Sequence, residues 1–221
     1  MTAQGVFITI EGIEGAGKST AVSCVADWFS GRGREVLRTR EPGGTPVAED
    51  IRRILLTATE EELAEPTELL LMFAARAQHV ARGIRPALDS GRVVVCDRFT
   101  DSSRAYQGAG RGIDPVVIES LASYAEQGVR PDLTLLLDLP VGIGIARAAA
   151  RRGMIAKDRF EREAHEFFGR VRAGFLAIAE AHPRRVRVID AAEPLDRVRL
   201  QIHAALAARF DEGEVGVHGG R

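Results

Sequence analysis

The chain has 221 residues, 45% hydrophobic and 28% charged, enough to bury one substantial core. Its formal charge of -1 argues against broad nucleic-acid binding. No apolar run of roughly 18 residues and no signal-peptide pattern is present, which predicts a soluble, cytoplasmic protein with no membrane partner.

In chain order, FITI at Phe7–Ile10 reads as a first strand, followed by a glycine-rich turn and a helix from about Lys18 to Ser30. EVLRT at Glu35–Thr39 is a second strand, and EPGGT opens a helix near Thr45. After Pro66 the apolar residues of TELLLMFAARAQHVARGIRPAL recur at three- and four-residue spacing, as in a long amphipathic helix. VVVCD is the third strand, DPVVIESLASYAEQ an amphipathic helix, and DLTLLLDL at Asp132–Leu139 the fourth strand. A helix starts after Pro140 and a charged one follows Arg159. VRVID at Val186–Asp190 is the fifth strand, and PLDRVRLQIHAALAARF the last helix.

Apolar strands alternating with amphipathic helices describe a mainly parallel sheet covered on both faces. The expected organisation is one domain over residues 1–210, a small lid around 150–160 and a flexible tail over 211–221. In open sheets of this kind ligands bind beyond the carboxyl ends of the strands. Glu11, Arg40 and Asp97 all fall there. Cys24 and Cys96 have no metal-ligand spacing and read as inert buried thiols.

Gly12–Ser19, GIEGAGKS, matches the phosphate-loop pattern G-x-x-x-x-G-K-[ST] between a strand and a helix. Its glycines let backbone N–H groups curl around an anion at a helix N-terminus. The segment Gly12, Ile13, Glu14, Gly15, Ala16, Gly17, Lys18, Ser19 and Thr20 is therefore expected to hold ATP. Lys18 would reach the β and γ phosphates, and Ser19 would hold Mg2+. Only two lysines stand among the 30 basic residues, and one is Lys18, where a compact ammonium is wanted.

A GTPase would need a guanine-reading N-K-x-D segment, and the chain has no asparagine. A small-molecule kinase needs a carboxylate near Mg2+, an acceptor pocket and mobile cations over the moving phosphoryl group. Asp97 supplies the carboxylate, or else caps the next helix. Arg40 and Arg98 are guanidinium forks suited to a monophosphate acceptor. Glu14, inside an anion-binding loop, makes sense if it points outward to an acceptor hydroxyl; plain solvent exposure is the alternative. Arg151, Arg152, Lys157 and Arg159 surround a Gly153 break, where a basic segment could close over the reaction centre.

Ordered together, ITIEGIEGAGKST, TREPGGT, DRFTDSSRAYQGAGRGID, RPDLTLLLDLP and a basic run before DRFE resemble the thymidylate kinase family, bacterial type, from Phe7 to about Phe210. The resemblance implies an α/β fold in three α/β/α layers with a five-stranded parallel sheet. It also implies a homodimer that uses Mg2+ and ATP to convert dTMP to dTDP. It assigns Asp97 to catalysis or Mg2+, and Arg40 and Arg98 to the acceptor phosphate. Glu14 goes to the sugar hydroxyl, Ser103 and Gln107 to the thymine side, Tyr106 to the sugar and Arg76 to the thymine carbonyl edge. With Gly15 where one branch carries a catalytic arginine, the missing charge falls to Arg151, Arg152 and Arg159, with Arg151 and Arg152 undistinguished. The family has a Phe four residues before the base-reading arginine; here Met72 holds that place and Phe73 stands next to it. Either shares the arginine's helical face, and Phe73 is preferred for its π-face. The resemblance also suggests a cis bond before Pro42. Rival readings are another pyrimidine monophosphate kinase and a non-enzymatic ATP-binding regulatory module.

Overall fold

Strands β1 (Val6–Glu11), β2 (Val36–Arg40), β3 (Val93–Asp97), β4 (Leu133–Asp138) and β5 (Val186–Asp190) pair in parallel in the order β2-β3-β1-β4-β5. The computed structural model describes residues 4–57, 62–152 and 158–211; for 151, 152 and 158–164 the backbone alone is described. The helices are α1 (Lys18–Ser30), α2 (Pro46–Leu56), α3 (Glu65–His79), α4 (Arg85–Asp89), α5 (Thr100–Ser103), α6 (Pro115–Glu126), α7 (Val141–Arg152), α8 (Asp158–Ala181) and α9 (Leu195–Phe210).

The three central strands are buried on both faces, which is why they read as unbroken apolar runs. Alternate residues then serve different layers. Val93 and Val95 of β3 pack with Val22, Val25 and Phe29 of α1, whereas Val94 and Cys96 pack with Val80, Ile84 and Ala87. Two buried threonines face each other between β1 and β4, with Thr9 and Thr134 hydroxyls 2.7 Å apart. The edge strands β2 and β5 are only partly buried. The expected three-layer architecture is thus present.

Two segments depart from the expected pattern. The long helix after Pro66 is interrupted by a π-helical turn at Val80–Ile84 before α4. Pro86 has no N–H to offer the Arg82 carbonyl one turn back, and a wider turn accommodates that loss. The second departure is the polar stretch after β3. It folds as α5 followed by a π-helical segment, Arg104–Gly110, packed against α8. The register brings the carboxyl ends of β1, β2 and β3 into line, with Asp97 opposite both Ile10 and Arg40.

Candidate active site

The loop between β1 and α1 presents backbone rather than side chains. Gly17, at φ 88°, is the N-cap of α1 and supplies no side-chain cap, and the first turn of α1 carries no acid. Thr20 N–H already donates to Gly17 O at 3.1 Å, while the amides of Lys18 and Ser19 at the helix start keep their donors and the dipole for an anion. Lys18 Nζ folds back onto the loop, donating to Gly12 O at 3.1 Å and Ile13 O at 2.9 Å. Burial, then the neighbouring Arg98, pushes the Lys18 ammonium down to about 7, against the pull of Asp97, Glu11 and Glu14.

Gly15 is locked by packing. At φ 83°, a Cβ there would sit 2.2 Å from the Gly144 carbonyl oxygen at the start of α7. The loop therefore has no room for a side chain on that side.

The chain leaving β3 is held by Glu11 at the end of β1. Its fully buried carboxylate accepts Phe99 N–H at 2.7 Å and the Ser102 hydroxyl at 2.6 Å. Burial first, then the Asp101 charge, raises Glu11 to about 7. Arg98 occupies the left-handed region at φ 71°, unusual for a non-glycine residue, while its N–H donates to Ile10 O at 3.0 Å. Its guanidinium donates to Ser102 Oγ at 3.0 Å and Tyr106 Oη at 3.1 Å. Asp97 lies between, its buried Oδ1 without a hydrogen-bond partner.

These groups line a cleft of about 550 Å³. Glu14, Lys18 and Ser19 form its loop wall, and Arg40, Arg52, Asp97 and Arg98 the next. Met72, Arg76, Ser103, Tyr106 and Gln107 form the far end. Arg40 rests on Glu49, donating to its two oxygens at 3.0 and 2.9 Å, and Arg52 donates to Pro42 O at 2.7 Å. The Glu41–Pro42 bond is cis, as expected. Arg76, 3% exposed, donates to Glu41 Oε2 at 2.7 Å and Ser103 Oγ at 3.1 Å. Gln107 Nε2 donates to Glu68 Oε1 at 3.1 Å. The arrangement offers anion-binding amides, a Mg2+-capable carboxylate, three guanidinium groups and a buried polar end for a planar ring.

A family model described as thymidylate kinase matches residues 10–202. The chain belongs to the thymidylate kinase family. A thymidylate kinase of Chromohalobacter salexigens is 58% identical over 207 residues, covering 93% of this chain and 97% of its own. One from Pseudomonas fluorescens Pf-5 is 55% identical over 202 residues, covering 91% and 95%. The crystal structure of thymidylate kinase from Ehrlichia chaffeensis superposes with a TM-score of 0.73 at 36% identity, covering 92% of this chain and 99% of that one.

Within this thymidylate kinase cleft one expectation is corrected. Phe73 does not line it: the ring is 4% exposed and packs with Leu69, Ile118, Ala122 and Ala125. It supports the Arg76 guanidinium from behind, 4.7 Å from centroid to Cζ. Met72 is the neighbour that faces the cavity, because α3 turns its next residue toward α6. The side chains of Arg151, Arg152 and Arg159, and Lys157 entirely, lie outside the described residues.

Several contributors escaped the sequence reading. Arg52 is hidden by the abundance of arginine, and Glu68 by its distance in sequence from Gln107. A second pocket, about 190 Å³, opens on the other side of the loop between Ala16, Gly17, Thr20, Arg147, Glu193 and Arg199. It draws on α1, α7, the loop after β5 and α9, which no local motif joins. Cys24 also lines it and is half-buried, not sealed as expected, with Sγ 3.4 Å from His203 Nε2.

Proposed function

We propose that this cleft transfers the γ-phosphoryl group of ATP to dTMP, giving ADP and dTDP for dTTP synthesis. The observation that carries the reading is a single cavity running from the phosphate loop, past three arginines, to Arg76, Ser103 and Gln107. A ligand filling it would have an anionic end at the arginines and a polar ring at the buried end, as a pyrimidine monophosphate does.

Lys18 and the amides of residues 12–20 would hold the donor phosphates, with the ATP nucleoside in the pocket between α1, α7 and α9. Arg40, Arg52 and Arg98 would hold the acceptor phosphate in line. Arg76, Ser103 and Gln107 would meet the thymine edge, with Met72 over the ring, Tyr106 against the sugar and Glu14 at its hydroxyl. The Ser19 hydroxyl and the orphaned Asp97 oxygen are hard oxygen donors that fit Mg2+. When bound with ATP, the ion neutralises the donor phosphates.

An acceptor phosphate oxygen forms the new bond to the γ phosphorus as the bond to the bridging β–γ oxygen breaks and ADP leaves. That oxygen is already ionised near neutral pH, so no general base is needed, and rate comes from alignment and charge stabilisation. A lid around 150–160 within the 1–210 domain would bring Arg151, Arg152 and Arg159 over the reaction centre and exclude water. The tail, 211–221, would take no part in this chemistry.

We also read the protein as a cytoplasmic homodimer. Among the described residues no helix is long and apolar enough to cross a membrane. Helices α2, α3 and α6 pack in succession and expose Ile54, Leu70, Val116 and Tyr124, apolar surface suited to a second copy. A sizing measurement giving a monomer would remove that part.

The test of function measures ADP and nucleoside diphosphate formation from MgATP with dTMP, dUMP, dCMP, dGMP and AMP. The expected result is the highest kcat/KM with dTMP. No transfer to dTMP, or a clear preference for another acceptor, overturns the proposal.

A further inference from the structure

His79 is fully buried and has no part in the reaction as drawn above. It follows Arg76 by three residues on α3, so both side chains share a helical face. They reach the same carboxylate. Glu41 accepts Arg76 Nε–H at 2.7 Å through Oε2, and His79 Nδ1–H at 3.0 Å through Oε1. Facing a carboxylate oxygen, Nδ1 is the donor of that pair, and Nε2 shares a hydrogen bond with the Thr39 hydroxyl at 2.8 Å. Both oxygens of Glu41 are thereby fixed.

Backbone seals the imidazole. Gly44, at φ 87°, folds over it so closely that a Cβ there would lie 2.4 Å from His79 Nε2 and 2.6 Å from Thr39 Oγ1. At the other end Arg76 donates to Ser103 Oγ at 3.1 Å. An unbroken chain, Thr39–His79–Glu41–Arg76–Ser103, thus runs from the end of β2 through α3 to α5. Glu41 takes the Nε side of the guanidinium and leaves its terminal nitrogens toward Ser103 and the cleft. A guanidinium only donates, and it can tell a ring carbonyl from a ring amino group only if its plane is held.

We propose that His79 is a positioning residue for base choice: through Glu41 it sets the plane of Arg76, and with it the preference for an acceptor ring carrying a carbonyl rather than an amino group. The inference rests on Arg76 reading the base, as given under the proposed function.

The experiment measures kcat and KM for dTMP and dCMP, and KM for ATP, in the full-length enzyme and in His79→Leu, His79→Asn, Arg76→Ala and the Arg76→Ala/His79→Leu double variant. His79→Leu is expected to raise the dTMP KM by about tenfold, the scale of one lost hydrogen bond to a charged group, and to narrow the dTMP:dCMP ratio of kcat/KM. The ATP KM should stay within about twofold, because the donor side does not touch this chain. His79→Asn, whose amide N–H replaces Nδ1–H, should recover most of the ratio. In the Arg76→Ala background, His79→Leu should change the ratio no further.

An unchanged ratio in His79→Leu overturns the positioning role, as does an equal narrowing with Arg76 already removed. An unchanged dTMP KM and ratio in Arg76→Ala instead removes the base-reading role itself, a separate failure. If His79→Leu does not fold, the isosteric Glu41→Gln carries the same test. It keeps the shape but offers one acceptor where the carboxylate offers two, so the link between His79 and Arg76 is broken at one end, and an unaltered ratio there overturns the proposal.

Discussion

Lys18 shows how surroundings set the charge of a phosphate-binding residue. Among the described residues its ammonium donates to the Gly12 and Ile13 carbonyls, and burial beside Arg98 brings it down to about 7. Donor phosphates at the same spot would restore the charged form. Above pH 7, therefore, MgATP binding must be accompanied by proton uptake, and affinity should fall as pH rises, by up to about tenfold per unit. Below pH 6 Lys18 is already charged, and this linkage vanishes. Calorimetry at pH 6 and pH 8, in buffers of different ionisation enthalpy, should show uptake approaching one proton only at pH 8. Lys18→Met should bind weakly and without that difference. Equal proton uptake at both pH values, or none at pH 8, would exclude Lys18 as the linked group.

At the scale of elements, the site depends on how closely the phosphate loop meets α7. Gly15 and Gly144 approach through backbone atoms, so even a methyl group at position 15 meets the Gly144 carbonyl. Gly15→Ala combines that clash with an unfavourable left-handed φ of 83°. We expect a loss of about 2 kcal/mol or more in chemical denaturation, and at least about a tenfold loss in kcat/KM, since the loop must shift to accept the methyl. A variant with wild-type stability and rate would show that α7 yields without cost. The same scale separates what was legible in the sequence from what was not. VVVCD and DLTLLLDL announced themselves because both faces of those strands are buried, and the loop because its chemistry tolerates few residue types. DSSRAYQGAG did not disclose its π-helical course, which depends on packing against a helix some sixty residues away, seen in Arg170 Nε donating to Gly110 O at 3.0 Å. Met72 and Phe73 could not be ordered by three- and four-residue spacing, which puts both near the arginine's face; contact with α6 decides between them. The second pocket joins the phosphate loop and α1 to α7, the loop after β5 and α9, which share no motif, and could only be seen once they were folded.

For the molecule as a whole, Glu11 ties stability to pH in the direction opposite to an ordinary ion pair. Its carboxyl joins the end of β1 to the chain leaving β3, and burial raises it from 4.5 to about 7. Between those two values the folded state holds more of a proton than the unfolded chain does. With the native state the more protonated, stability from this group is fully present below pH 4.5 and declines as pH rises toward 7, after which the loss is constant. The whole effect is at most about 3 kcal/mol, from 1.36 kcal/mol per pK unit. Glu126, also raised by burial, adds in the same sense, whereas Asp101 and Glu119 are lowered by Arg185 and Arg104 and act only at more acidic pH. Glu11→Gln keeps the shape, accepts Phe99 N–H and donates to Ser102, while removing the titration. Its urea-unfolding free energy, set against that of the unaltered protein, should therefore gain on going from pH 4.5 to pH 7.5 by about 1–3 kcal/mol. A difference between the two proteins that stays constant over this range would mean that Glu11 is ionised throughout, its two donors outweighing burial.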